Sequence, residues 1–248
     1  MNAAHARIAG PRLYCDLALF AESEITLTEG AARHVAALRL QSGGALTVFN
    51  GLGGEYQASL IDTAKRGTRV RIHEHIAIER ESALQITLAL GISAGDRMDY
   101  SLQKATELGV TAIQPLATER SVVRLAADRA EKRLAHWQNV VIAACEQCGR
   151  NRVPQVGPVL ALTNYLASVE PGQRLLMLTP GAALALKQGA RTTAITLLIG
   201  AEGGFGPDER AAAELAGFKP VSLGPRILRT ETAPVAAIAV LQTLWGDL

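Results

Sequence analysis

With 248 residues, 48% hydrophobic and 19% charged, the chain has the apolar content to bury a full core, which excludes a disordered chain. A net charge of +2 excludes a globally basic polyanion binder, so any nucleic-acid contact must come from local basic patches. No run reaches the roughly 18–20 apolar residues of a bilayer span, MNAAHARIAGPRLY lacks the apolar centre of a signal peptide, and three cysteines make no disulfide framework. A cytoplasmic chain with no membrane partner is expected.

Residues 1–78 read as a small β-rich domain. EGAARHVAALRL is a short helix with Val35, Leu38 and Leu40 on its apolar side. LTVFNGLGGEYQASLID is two strands around a turn at Gly51–Gly54, and GTRVRIHEHIAI alternates as a further strand. Polarity rises in AIERESAL, which sets the domain boundary. Residues 79–248 then alternate strand and helix: strand ITLALGI, helix RMDYSLQKATELG ended by Gly109, strand VTAIQPLA and a long helix over residues 128–148. After a shorter helix come strand RLLMLT, strand AITLLIG, helix PDERAAAELAG, strand KPVSLG and a last helix, PVAAIAVLQTLW. This alternation predicts a mostly parallel sheet covered by helices. The last helix is apolar nearly all round, which calls for burial on more than one face, within its own domain or in a dimer interface.

Two strands run into glycine loops, LLIGAEGGFGPDE and SLGPRILRTETAP. The first is neither a Walker loop, having no Lys or Arg between Gly200 and Glu209, nor a complete dinucleotide fingerprint. Glu202 makes it acidic, which disfavours a polyphosphate. Two such loops at strand ends converge on one crevice, where backbone groups read a heterocycle without charged side chains. S-adenosylmethionine, cationic and free of phosphate, suits this better than ATP or NAD.

The motifs RMDYSLQKATELGV, TERSVV, EQCGRNRVPQV, IGAEGG and LGPRILRTETA, in this order from residue 97 to 234, resemble those of the ribosomal small-subunit methyltransferase E family, of the SPOUT or trefoil-knotted methyltransferases. HVAALRL and FNGLGGEY resemble its PUA-like RNA-binding barrel. The chain departs from the family's usual pattern at Tyr100, Cys148, Ala201 and Gly206, none of which removes a charged group. The resemblance implies a trefoil-knotted α/β domain with helices on both faces after a PUA-like β-barrel. It implies methylation of N3 of a uridine in 16S rRNA, within the small ribosomal subunit, and a homodimer through the C-terminal domain. The alternatives are a non-catalytic RNA-binding assembly factor and a nucleotide-dependent enzyme.

The cofactor, S-adenosylmethionine, is expected on Leu178, Thr179, Pro180, Ile199, Gly200, Glu202, Gly203, Gly204, Leu223, Gly224, Ile227, Leu228, Arg229, Thr230 and Ala233. Arg229 and Glu231 are the catalytic candidates: a cation stabilises the oxyanion developing at O2 or O4 of the uracil, and a base removes the N3 proton. RNA phosphates are expected on Arg12, Arg33, Arg39, Lys104, Arg120, Arg124, Arg150, Asn151 and Arg152. Lys104 and Glu107 read equally as a surface pair. Cys145 and Cys148 form a C-x-x-C without a second pair, and His73 and His75 share a strand face without a third ligand, so no metal is expected.

Overall fold

The computed structural model describes residues 10–64, 67–121, 127–169 and 172–248, without the side chains of 127–129. The chain divides into two compact units. One comprises residues up to Glu81 together with Cys145–Val153, and the other comprises Ser82–Ala144 and Pro154–Leu248. The return of nine residues from the second half to the first unit has no signature in the sequence.

In the first unit, β1 (Arg12–Tyr14), β2 (Ser23–Thr26), α1 (Glu29–Ala37), β3 (Ala45–Phe49), β4 (Glu55–Ala64) and β5 (Gly67–Ile76) build a five-stranded sheet. Its order is β1-β3-β4-β5-β2. The β1–β3 pair is parallel and the others are antiparallel. Alternation puts Val70 and Ile72 of β5 into a core with Leu13, Leu46, Val48 and Leu60. Helix α1 adds Ala31 and Val35, one turn apart. Leu38 is not on that apolar side: it caps the helix and is 46% exposed, and only Leu40 turns back onto the core.

In the second unit, β6 (Gln85–Gly91), α2 (Asp96–Glu107), β7 (Ala112–Ala117), α3 (Ala127–Cys148), β8 (Gln155–Val156), β9 (Leu160–Ala161), α4 (Leu162–Ser168), β10 (Arg174–Leu178), β11 (Ala194–Ile199), α5 (Pro207–Leu215), β12 (Lys219–Val221) and α6 (Thr232–Trp245) follow in order. The sheet runs β12-β10-β11-β6-β7-β8, with β9 also on β7, and every pairing described in it is parallel. Ala89, Leu116, Met177 and Leu198 face a core shared with Leu162 of α4 and Ala213 of α5. Leu88, Leu90 and Leu197, of opposite parity, are buried as well, so both faces of the sheet are covered. Helices α2 and α6 pack on each other. Gln242 of α6, wholly buried, donates to Leu108 O (2.9 Å) and accepts from Ser82 Oγ (2.7 Å).

The chain order along this sheet reverses between β6 and β11. In parallel sheets, ligand crevices open at such switch points, beyond the strands' C-terminal ends. The loops after β7, β10, β11 and β12 all emerge there.

Candidate active site

Those four loops enclose a cleft of about 340 Å³. Leu178, Thr179 and Pro180 come from the end of β10, Ile199–Phe205 from the end of β11, and Leu223, Gly224, Arg226, Ile227, Leu228 and Thr230 from the segment after β12. Ala233 of α6 closes it. Every residue expected to hold the cofactor lines this cleft except Arg229.

Backbone packing gives the wall its shape. At Gly200 a Cβ would lie 2.9 Å from Gly204 Cα, and at Gly91 one would lie 2.4 Å from Ala201 N, so the β11 loop folds tightly on itself and against the end of β6. Gly204 has φ +64°, a left-handed conformation that glycine adopts without steric cost. Gly203 does not have a positive φ; a Cβ there would meet the side chain of Arg120 at 2.8 Å. Helix α5 starts with Gly206-Pro207, and Glu209 in its first turn accepts from Gly206 N (3.0 Å) and Glu119 N (2.8 Å). This ties the β7 loop to the β11 loop and lays Arg120 over Gly203, whose carbonyl accepts from Arg120 Nη1 at 3.1 Å.

The loop after β12 is pinned from below. Thr230 is buried, with Oγ1 3.1 Å from Ser93 Oγ and 3.5 Å from Gly200 O. It thus crosses between the segments that follow β6 and β11. The Arg229 carbonyl accepts from Thr232 N and Ala233 N, opening α6. The Arg229 side chain is exposed and has no polar partner among the described residues. Glu231 occupies the N-cap position of α6 but makes no side-chain cap bond. Its carboxylate turns to Arg97, which also faces Glu202. Arg97 was not among the expected residues; its one sequence signal is its place at the head of RMDYSLQK.

The cleft is less free of cations than its loop sequence. Arg210 and Arg226 join Arg120 in the lining, carried there from α5 and from the second glycine loop. Glu202 is the lining carboxylate, and its Oε2 is buried without a hydrogen-bond partner among the described residues.

The residues expected to meet RNA separate by burial. Arg33 and Arg39 are exposed on and just after α1. Arg39 holds φ 52°, the left-handed position that follows a helix and that glycine usually fills. Lys104 is bound to Glu107 at 2.8 and 3.0 Å, the surface-pair reading. Arg152 is exposed and paired with Glu79 at 2.8 Å. Arg124 lies outside the described residues. Arg12, Arg150 and Asn151 are corrected: they are 4%, 5% and 0% exposed. Arg12 donates to Glu55 (2.5 Å), Asn151 Oδ1 (2.7 Å) and Arg150 O (3.1 Å). Arg150 is paired with Glu81, and Asn151 donates to Ile78 O (2.9 Å). These three staple the returning segment Cys145–Val153 inside the first unit, where a phosphate has no access to them. Burial pushes the thiols of Cys15 and Cys145 up to about 12, so both are protonated structural cysteines. Among the described residues no group of three or more His, Cys, Asp or Glu is placed to hold a metal ion, and no helix is long and apolar enough to cross a membrane.

The family described as "RNA methyltransferase domain" matches residues 80–242. Ribosomal RNA small subunit methyltransferase E of Buchnera aphidicola (subsp. Schizaphis graminum) is 32% identical over 240 residues, covering 96% of this chain and 98% of that one. The protein of the same name from Synechocystis sp. is 35% identical over 230 residues, covering 90% and 74%. Among solved structures, a ribosomal RNA small subunit methyltransferase E from Neisseria gonorrhoeae bound to S-adenosyl methionine is 43% identical, with a TM-score of 0.90 and coverage of 96% and 99%. A Legionella pneumophila protein with bound cofactor SAM is 38% identical, with a TM-score of 0.91 and coverage of 96% and 98%. The trefoil-knotted α/β class with a small β domain before it stands on this likeness. Matched by that family from residue 80 to 242 and by relatives above 30% identity along nearly its whole length, the chain belongs to the ribosomal RNA small subunit methyltransferase E family of RNA methyltransferases.

Proposed function

We propose that this chain methylates N3 of a uridine in the 16S rRNA of the small ribosomal subunit, with S-adenosylmethionine as methyl donor. The observation that carries the reading is the cleft at the sheet's switch point, built from four strand-end loops in a chain 43% identical to a structure bound to S-adenosyl methionine. The fit is chemical as well. Leu178, Ile199, Leu223 and Leu228 offer an apolar seat for a heterocycle, the close-packed glycines expose backbone groups, and Glu202 offers a buried acceptor next to a cationic ligand. When bound, the cofactor supplies an electrophilic methyl group on a sulfonium.

The chain's own residues must position and deprotonate the base. Uracil N3–H is a weak acid hidden in a base pair, so the target nucleotide has to be unpaired. The Arg229 guanidinium, exposed and without a polar partner among the described residues, is placed to approach O2 or O4 and stabilise the uracil anion. Glu231 is the acceptor we assign to the proton: its buried Oε2 faces Arg97 at 3.9 Å but takes no hydrogen bond from the described residues. Arg33, Arg39, Arg120 and Arg152 are exposed cations suited to RNA phosphates. A homodimer is also part of this reading: α6 leaves Val235, Ala236, Ala239, Val240 and Leu244 incompletely covered in the single chain. Sedimentation should give a dimer at micromolar concentration, and a monomer there removes that part.

The deciding experiment is methyl transfer from labelled cofactor to small-subunit RNA, with the modified base mapped. Incorporation at uridine N3 is expected. Cofactor binding without transfer favours a non-catalytic RNA-binding factor. ATP or NAD in place of S-adenosylmethionine overturns the cofactor assignment.

A further inference from the structure

Three segments of the second unit meet at one guanidinium. Arg97, the second residue of α2, lies with Nη1 3.5 Å from Glu202 Oε1 and Nε 3.9 Å from Glu231 Oε2. Glu202 Oε1 also accepts from Ala94 N at 2.9 Å. Glu202 Oε2 and Glu231 Oε2 are both buried without a hydrogen-bond partner among the described residues. A buried carboxylate oxygen without a donor is costly unless a cation offsets it. Among the described residues, Arg97 is the one cation within ion-pair distance of either carboxylate.

We infer that Arg97 is a positioning residue for methyl transfer, one that holds Glu231 at the head of α6 and Glu202 on the cleft wall in fixed register. Glu202 lines the cofactor cleft whereas Arg97 does not, so its effect passes through the carboxylates. A purely structural role fits poorly. The same three segments are already tied through the Thr230 hydroxyl, which meets Ser93 Oγ and donates to Gly200 O. Arg97 is itself nearly half exposed, with 47% of its side chain accessible, so its removal leaves no cavity in the core. What it adds is the direction of two carboxylates. Glu202 keeps the Ala94 N–H when Arg97 is lost, whereas Glu231 keeps no cation. The loss should therefore fall on the step that uses Glu231, not on cofactor affinity.

The inference rests on the proposed function and is tested by single-turnover methyl transfer to small-subunit RNA together with calorimetric cofactor binding. Arg97→Ala should slow transfer about 10- to 100-fold, the range for a misplaced catalytic group, with cofactor Kd unchanged within about threefold. Arg97→Lys, which keeps the charge, should recover most of the rate. Adding Arg97→Ala to Glu231→Gln should cost nothing further. An unchanged rate, equal losses in rate and Kd, or full additivity with Glu231→Gln each overturns the inference. Should Arg97→Ala misfold, Arg97→Gln, which removes the charge and keeps much of the side chain, carries the same additivity test alone and combined with Glu231→Gln. Absence of transfer by the unaltered chain overturns the proposed function and this inference with it; transfer with additive variants overturns the inference alone.

Discussion

Replacing Arg12 by alanine separates a structural arginine from an RNA-binding one. In the folded first unit its guanidinium donates to Glu55 at 2.5 Å, to Asn151 Oδ1 at 2.7 Å and to Arg150 O at 3.1 Å. Alanine leaves Glu55, 5% exposed, with Arg80 at 3.0 Å as its remaining cation. It also strips a charged donor from two acceptors in the returning segment. Removing one member of a buried ion pair costs about 3–5 kcal/mol. Arg80 still offsets part of the Glu55 charge, so the low end, about 3 kcal/mol, is expected. That is a large share of the roughly 5–15 kcal/mol that holds a domain folded. Burial pushes the Glu55 carboxyl up, but hydrogen bonds from Arg80 and Arg12 outweigh it and hold it below the usual glutamate value. A depressed carboxylate stabilises the fold above its unfolded pKa, near 4.3, and that stabilisation fades as pH falls through the lower folded value. The gap between wild type and Arg12→Ala should therefore be full at neutral pH and narrow below about pH 4. Both tryptophans, Trp137 and Trp245, lie in the second unit, so the first unit is best followed by hydrogen exchange in β4 and β5 peptides. A loss below about 1 kcal/mol, together with tenfold weaker RNA binding, refutes the reasoning and returns Arg12 to the RNA surface.

Arg229→Ala should lower the single-turnover rate by about 10²-fold or more and change cofactor affinity much less; an affinity loss with an intact rate makes the residue a binder. Gly200→Val should weaken cofactor binding at least about tenfold in calorimetry, because its Cβ meets the Gly204 backbone at 2.9 Å. Gly203→Ala should be milder, since the Arg120 side chain it meets can move; equal effects at both glycines contradict the packing argument. Arg39→Gly should stabilise the first unit by about 0.5–1 kcal/mol by relieving its positive φ, while RNA binding weakens and its salt dependence becomes shallower. Improved stability with unchanged RNA affinity removes Arg39 from the interface.

The alternation of buried strands and amphipathic helices from residue 86 onward was legible because each element carries its own period. The two glycine loops were legible because glycine marks close backbone approach. Gly200 and Gly204 meet that expectation, whereas Gly203 owes its lack of a side chain to Arg120, a neighbour 83 positions away. The short strands β1, β2, β8 and β9 have too few residues to show a period. Leu38 looked apolar by spacing but stands at the helix end, where the chain has already left the helical path.

The cations show why the rest was hidden. Local sequence does not set Arg12 and Arg150 apart from Arg33 and Arg39: Arg12 and Arg39 each adjoin a leucine, and Arg33 and Arg150 each stand between a small and a polar residue. Their partners decide their role, and the partners are remote: Glu55 is 43 positions from Arg12, and Glu81 is 69 from Arg150. A buried arginine is stable only if a carboxylate meets it there, so long-range pairing turns a candidate phosphate contact into a structural bolt. The same logic runs in reverse at the cleft. The β11 loop has no cation of its own, yet Arg120, Arg210 and Arg226 arrive from three other places in the chain. Glu202, the lining carboxylate, is engaged by Arg97 and Ala94 N, and none of the three lining arginines has a carboxylate within ion-pair distance among the described residues. The cleft therefore pairs a glycine-loop wall that carries Glu202 and no cation, which the β11 loop spells out locally, with a cationic rim that the folded sheet assembles.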